Sequence, residues 1–234
     1  MRRVTFPLRT SGFTLVELAV VLVIVALLTG GLLLGVTAQR SAAEVVDARA
    51  RLDAIREALL GYAMANGRLP CPAPGNLPAG NPAAGVAPLP PCDGALQHGV
   101  VPWVTLGIPE VDPWGQRHTY FANSAFTGAL TGGAQASFTL ATSGNANVKE
   151  STASAANIAS DLPAVVVSHG SRGQGGWRPD GTQVPGATGD ELENANASNT
   201  AFVSRTIGDT FDDLLVWIPA SILKAKMVAA GRLP

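Results

Sequence analysis

A sharp change in polarity falls at residue 18. From there to residue 36 the chain runs nineteen residues without a charge, mostly Leu, Val, Ile and Ala. As an α-helix rising about 1.5 Å per residue, that run covers about 28 Å, close to the hydrocarbon thickness of a bilayer. Beyond residue 39 the pattern becomes amphipathic. Val45, Ala48, Leu52, Ile55, Leu59 and Tyr62 recur at three- and four-residue steps, and Asp47, Arg49, Arg51, Asp53, Arg56 and Glu57 fill most positions between them. Asp47 and Arg51 stand four apart, a spacing that supports a helix. Asn66-Gly67 followed by Leu69-Pro70 is a stop signal. Together the two patterns predict one helix over residues 13–66, apolar first and striped second, with Gly30, Gly31 and Gly35 as the places where it bends or melts.

Residues 70–92 are rich in Pro, Ala and Gly, which excludes a regular helix or an inner strand and predicts a surface loop. Farther on, β-branched and aromatic content predicts strands at 118–123, 137–142, 164–168 and 214–218. Pro219 opens a short helix over 220–230 that ends at Gly231. One long N-terminal helix followed by several strands is an α+β layout, the helix packed on a small antiparallel β-sheet head.

Charge adds direction to this picture. Arg2, Arg3 and Arg9 precede the apolar run and no acid accompanies them, so the positive-inside rule keeps the N-terminus cytoplasmic and exports the rest. Over all 234 residues the formal charge is −1 with no basic run, which argues against a nucleic-acid partner. The two cysteines, Cys71 and Cys92, both lie beyond the apolar run, at the ends of the Pro-rich loop. An even pair in an exported segment points to an oxidising compartment and a disulfide, the alternative being two unrelated free thiols. Closing that loop would contribute about 3 kcal/mol on the chain-entropy model.

Glu17 does not fit a plain anchor. A charged side chain at the edge of lipid costs a few kcal/mol unless it has a partner or sits solvated at headgroup level. The segment SGFTLVELAVVLVIVALL around it resembles the prepilin signature of type IV pilins and type II secretion pseudopilins. The resemblance implies a prepilin peptidase that cuts between Gly12 and Phe13 and methylates the new Phe13 amine. Glu17 then neutralises the terminal amine of a neighbouring subunit during assembly. Burying an ammonium and a carboxylate together costs far less than burying either alone. Implied domains are a leader (1–12), a transmembrane and filament-core helix (13–38), its amphipathic continuation (39–66) and an extracytoplasmic head (67–234). Implied partners are other pilin or pseudopilin subunits, the peptidase, an inner-membrane assembly platform and membrane lipid. The competing reading is an ordinary signal peptide cut after Val36-Thr37-Ala38, against which stand the length of the apolar run and the placement of Glu17.

Two further segments resemble the same family. Asp112-Pro113-Trp114-Gly115-Gln116-Arg117-His118-Thr119-Tyr120 is similar to the DPWGxxYxY segment of major pseudopilins, with His118 in place of the usual first Tyr. The resemblance implies a turn at Asp-Pro and Gly, with aromatic residues entering the core. Ser168-His169-Gly170-Ser171-Arg172-Gly173, followed by Asp190-Glu191, resembles the S-x-G-A-D-G loop and its later Asp, which bind calcium in that family. Ser168, Asp190 and Glu191 are therefore the candidate Ca²⁺ region, with Glu193 nearby and Arg172 standing where an acid is expected. A solvated acidic loop is the alternative. Asp212 and Asp213 are further acids that serve calcium or a partner, or cap a turn.

Catalytic patterns are missing: there is no P-loop, HExxH or CxxC, and His169-Gly170-Ser171-Arg172-Gly173 misses GxSxG. Ser171 with His98, His118 or His169 is a drawable triad that no spacing selects, so the expectation is a protein without enzymatic activity. Trp103, Trp114 and Trp217 read as core anchors, and Trp177, in a Gly-rich loop, as the exposed contact. The expected function is a structural subunit, a minor pilin or pseudopilin. It sits first as a single-pass inner-membrane protein with a periplasmic head, then in a periplasmic or cell-surface filament. Alternatives are a filament-tip adhesin and a signal-anchored periplasmic protein. Losing Arg2, Arg3 and Arg9 leaves thirteen basic against seventeen acidic side chains, a mild acidity that suits an exported head and not capture of DNA.

Overall fold

The computed structural model describes residues 12–234, with the side chains of 29–38 outside the described set. It divides into two compact units, Met1–Ala43 and Glu44–Pro234. Helix α1, Leu15–Asn66, continues through Gly30, Gly31 and Gly35 without a break in its helical backbone. In the first unit its large apolar side chains from Leu15 to Leu28 are all exposed, Leu15 at 88%. Among the described residues no helix is long and apolar enough to cross a membrane. The expected 13–38 span falls partly on 29–38, whose side chains are not described.

The second unit holds the rest of α1 and a head of short elements. In chain order these are β1 (His98–Val100), α2 (Trp103–Leu106), β2 (Thr119–Ala122), α3 (Ser124–Thr127), β3 (Ala146–Lys149), β4 (Asn157–Leu162) and β5 (Ala164–Ser168). They are followed by α4 (Gly189–Ala195), β6 (Ala201–Val203), β7 (Leu214–Ile218) and α5 (Ala220–Ala229). A four-stranded antiparallel sheet has the order β1-β2-β5-β7, and a second, three-stranded sheet has the order β4-β3-β6. In the second sheet β3 pairs antiparallel to β4 and parallel to β6.

The four-stranded sheet is covered on both faces, which explains its composition. Alternate side chains of a strand point to opposite faces. Tyr120 and Ala122 of β2 and Ala164 and Val166 of β5 join one core with Ala48, Leu52, Ile55, Leu59 and Ala63 of α1 and Leu223 and Met227 of α5. Phe121, Val165 and Val167 point the other way and meet Ala146, Val148, Leu162 and Phe202 of the second sheet. Strand β5, Ala-Val-Val-Val-Ser, is buried at every position, as its unbroken apolar run requires.

Ala48, Leu52, Ile55 and Leu59 of the expected helix stripe therefore enter the core, with Val45 partly buried against it and Tyr62 half-buried outside it. The strands at 164–168 and 214–218 form with the bounds read from sequence. Residues 137–142 are a correction, because they form no strand. Thr142 Oγ1 accepts from Thr139 N at 3.0 Å and Thr142 N donates to Thr139 O at 3.2 Å, so local threonine bonding replaces a ladder. The Pro-rich loop also differs from a plain surface loop. Cys71, Pro72 and Ala73 are buried, and Ala73 exchanges backbone hydrogen bonds with Val100 at 2.8 and 2.9 Å.

The N-terminal motif and the buried charge cluster

At the N-terminal end, Gly12 and Phe13 precede the helix outside any regular element and are exposed, Phe13 at 86%. The leader arginines Arg2, Arg3 and Arg9 lie outside the described residues. Helix α1 opens at Leu15, so Thr14 is its N-cap and Glu17 its third residue. The Glu17 carboxylate accepts from Thr14 N at 3.0 Å and Thr14 Oγ1 at 3.1 Å, and Thr14 Oγ1 accepts from Glu17 N at 3.2 Å. This is a reciprocal capping box. The sequence signal for it is the Thr-x-x-Glu pattern, Thr14 to Glu17, before an apolar run. In the single chain the Glu17 carboxylate is thus engaged with its own helix terminus.

Residues 8–33 match the family model described as the prokaryotic N-terminal methylation motif. The chain carries the signature of type IV pilins and pseudopilins. That pilin-type motif implies a precursor processed by a prepilin peptidase and assembly with other pilin-type subunits. No curated protein and no solved structure matches the chain.

Cys71 and Cys92 are joined as a disulfide, with Cα atoms 5.8 Å apart. The segment resembling the pseudopilin DPWG turn forms a turn here. Asp112 Oδ1 accepts from Trp114 N at 3.0 Å and Gln116 N at 2.9 Å, and Gly115 takes a φ of +84° that suits glycine. This turn is clamped to α1: Arg51 donates to Val111 O at 2.9 Å, and Trp114 Nε1 to Glu44 Oε2 at 3.1 Å. Tyr120 is buried and donates to Pro70 O at 3.2 Å. His118 is buried with its Nε2 unpartnered, and burial, then the charges of Arg51 and His169, push it down to about 3.

Arg117 is the residue that sequence reasoning missed. It is fully buried, donates to Glu110 Oε1 from Nε at 2.9 Å and to Gly75 O and Leu77 O at 2.9 and 2.6 Å, and lies 4.7 Å over the Trp103 ring. A further bond to Pro179 O at 3.1 Å makes it the common anchor of the chain around 75, 110 and 179. Nothing in the sequence around Arg117 separates it from a solvated arginine.

The candidate calcium residues have separate partners. Ser168 donates to Asp112 Oδ2 at 2.7 Å, while burial drives the Asp112 carboxyl upward against that bond. Asp190 accepts from Thr152 N and Oγ1, both at 2.9 Å, and pairs with Arg205 at 3.0 Å. Glu191 is buried and pairs with Arg172. Burial, then the Asp213 charge, pushes the Glu191 carboxyl above the usual carboxylate range. Among the described residues the acidic group whose oxygens approach within 4.8 Å is Glu191, Asp212 and Asp213.

Ser171 donates to Asp212 Oδ2 at 3.0 Å and has no histidine partner. Instead, His169 Nε2 is 2.7 Å from Thr119 Oγ1, and its Nδ1 is 3.6 Å from Asp213 Oδ1. The second distance is too long for a hydrogen bond and leaves both atoms unpartnered. Trp177 is half-buried rather than open. It lines a cleft of about 550 Å³ with Pro72, Leu96, His98, Thr119 and Leu192.

Proposed function

We propose that this chain is a filament subunit, a minor pilin or pseudopilin, cut between Gly12 and Phe13 and assembled through its N-terminal helix. The observation that carries this reading is the methylation motif at residues 8–33, which runs into a helix whose described side chains from Leu15 to Leu28 are all exposed and, apart from Glu17, all apolar. A surface of that kind is stable only against lipid or other chains. The helix would sit in the inner membrane with the head in the periplasm, then pass into a periplasmic or cell-surface filament. Glu17 is the acid at the edge of that surface. Once Phe13 is the terminus, its ammonium on a neighbouring subunit is the cation that a desolvated Glu17 requires.

No catalytic role is proposed for the head. The hydroxyl–imidazole–carboxylate series Thr119, His169 and Asp213 is broken by its 3.6 Å step, and His169 and Asp213 are buried while Thr119 is half-buried at the cleft. A second reading, a ligand-binding tip subunit, draws support from the cleft beside Trp177. Changing Trp177 to Ala and losing binding of a candidate ligand, with assembly intact, would favour it.

Mass spectrometry of the mature protein tests the principal reading. A methylated Phe13 terminus is the expected result, whereas a start at Gln39 would replace it with an ordinary cleaved signal peptide.

A further inference from the structure

Three buried carboxylates converge in the head, with one oxygen each from Glu191, Asp212 and Asp213 inside 4.8 Å. Such a group is strongly unfavourable away from water unless a cation meets it. A calcium ion would need six to eight oxygen ligands at about 2.3–2.6 Å. The oxygens here are engaged otherwise. Arg172 reaches into the group from the 168–173 loop, its Nε 3.3 Å from Asp212 Oδ1 and its terminal nitrogens on Glu191 Oε1 and Asp209 O. Its backbone N donates to Asp212 Oδ2 at 2.8 Å. With its amide nitrogen turned inward, Gln174 donates to Glu191 Oε2 at 3.0 Å, and Asn194 donates to Asp213 Oδ2 at 2.8 Å. Asp213 Oδ1 alone is left over, facing His169 Nδ1. Ser168 and Asp190 serve Asp112 and Thr152.

We propose that the guanidinium of Arg172 is the resident cation of this cluster. It holds the 168–173 loop against 209–213 in the place a divalent metal ion would take, so that the head is stable without calcium. The planar fork suits this task because it spans two carboxylates and a carbonyl at once, which a point charge does not. The backbone is fitted to the same contact. Gly170 has a φ of +62°, and a Cβ there would stand 2.3 Å from Asp212 O, so the loop approaches as closely as glycine permits.

The test uses the full chain in detergent and compares thermal unfolding in excess EGTA with unfolding in millimolar Ca²⁺. The wild-type midpoint is expected to be the same in both. Arg172→Ala is expected to lose about 5–10 °C in EGTA and to recover at least half of the loss in Ca²⁺. A wild-type midpoint that rises with Ca²⁺ overturns the proposal. So does an R172A protein as stable as wild type in EGTA, or one whose loss Ca²⁺ leaves in place. Should R172A fail to accumulate, a terbium luminescence titration of the wild type decides. No saturable signal supports the resident guanidinium, and a saturable one overturns it.

Discussion

Leu22 and Leu59 lie on the same helix, yet Leu22 is 60% exposed and Leu59 is fully buried. The difference follows from the residues around them. Near Leu59 the apolar positions recur at three and four and leave charged residues on the remaining faces, so one head satisfies the helix. Near Leu22 the neighbours on all sides are Val, Ile, Ala and Leu, and no single packing surface within the described residues covers them. A stripe asks for a core of its own chain, whereas an all-round apolar surface asks for a second molecule or lipid. The pilin-type motif falls on the second kind of surface.

The sharpest way to break this comparison is to truncate both leucines. Leu59→Ala should cost about 2–5 kcal/mol by opening a cavity, read as a lower midpoint in chemical unfolding of the full chain. Leu22→Ala should change that midpoint by no more than about 0.5 kcal/mol while lowering incorporation into filaments. Equal effects of the two on unfolding would mean that the segments share one core.

A second contrast is in acid. His118 lies in the buried part of the head and is pushed down to about 3 from an ordinary 6.5. Between those values the unfolded chain takes up a proton that the folded chain refuses, so stability falls as pH drops through that window, by up to a few kcal/mol. His118→Asn should flatten the fall between pH 6.5 and 4, measured by denaturant midpoints. Parallel curves for the two proteins would remove His118 as the cause. The disulfide offers a similar-sized test on the chain-entropy estimate. Replacing Cys71 and Cys92 together by Ser should cost about 3 kcal/mol in the head and leave cleavage of the leader unchanged.

Legibility in the sequence followed the amount of local repetition. The stripe on α1 and the apolar runs of β5 and β7 announce themselves because several consecutive residues agree. His98–Val100 and Ala201–Val203 have only three residues each, and Asn157–Leu162 mixes polar and apolar residues and is largely exposed. Those strands exist because a neighbouring strand accepts them, a fact carried by residues far along the chain. Ser137–Thr142 reads as β-forming, but its threonine hydroxyls satisfy the backbone locally. The site divides in the same way. Gly12, Phe13 and Glu17 stand in one short motif, whereas the acidic cluster joins residues 172, 191, 212 and 213, and Arg117 joins loops around 75, 110 and 179.

Two explanations remain for an acid at the start of an apolar helix, and one pair of variants separates them. Glutamine preserves a capping box with Thr14 but carries no charge, while alanine removes both cap and charge. Incorporation of Glu17→Gln and Glu17→Ala subunits into sheared filaments should be measured beside the wild type. If Glu17 meets a neighbouring Phe13 ammonium, both variants drop out of the filament fraction. Wild-type incorporation of the glutamine variant would contradict the charge pair and leave Glu17 as a helix cap.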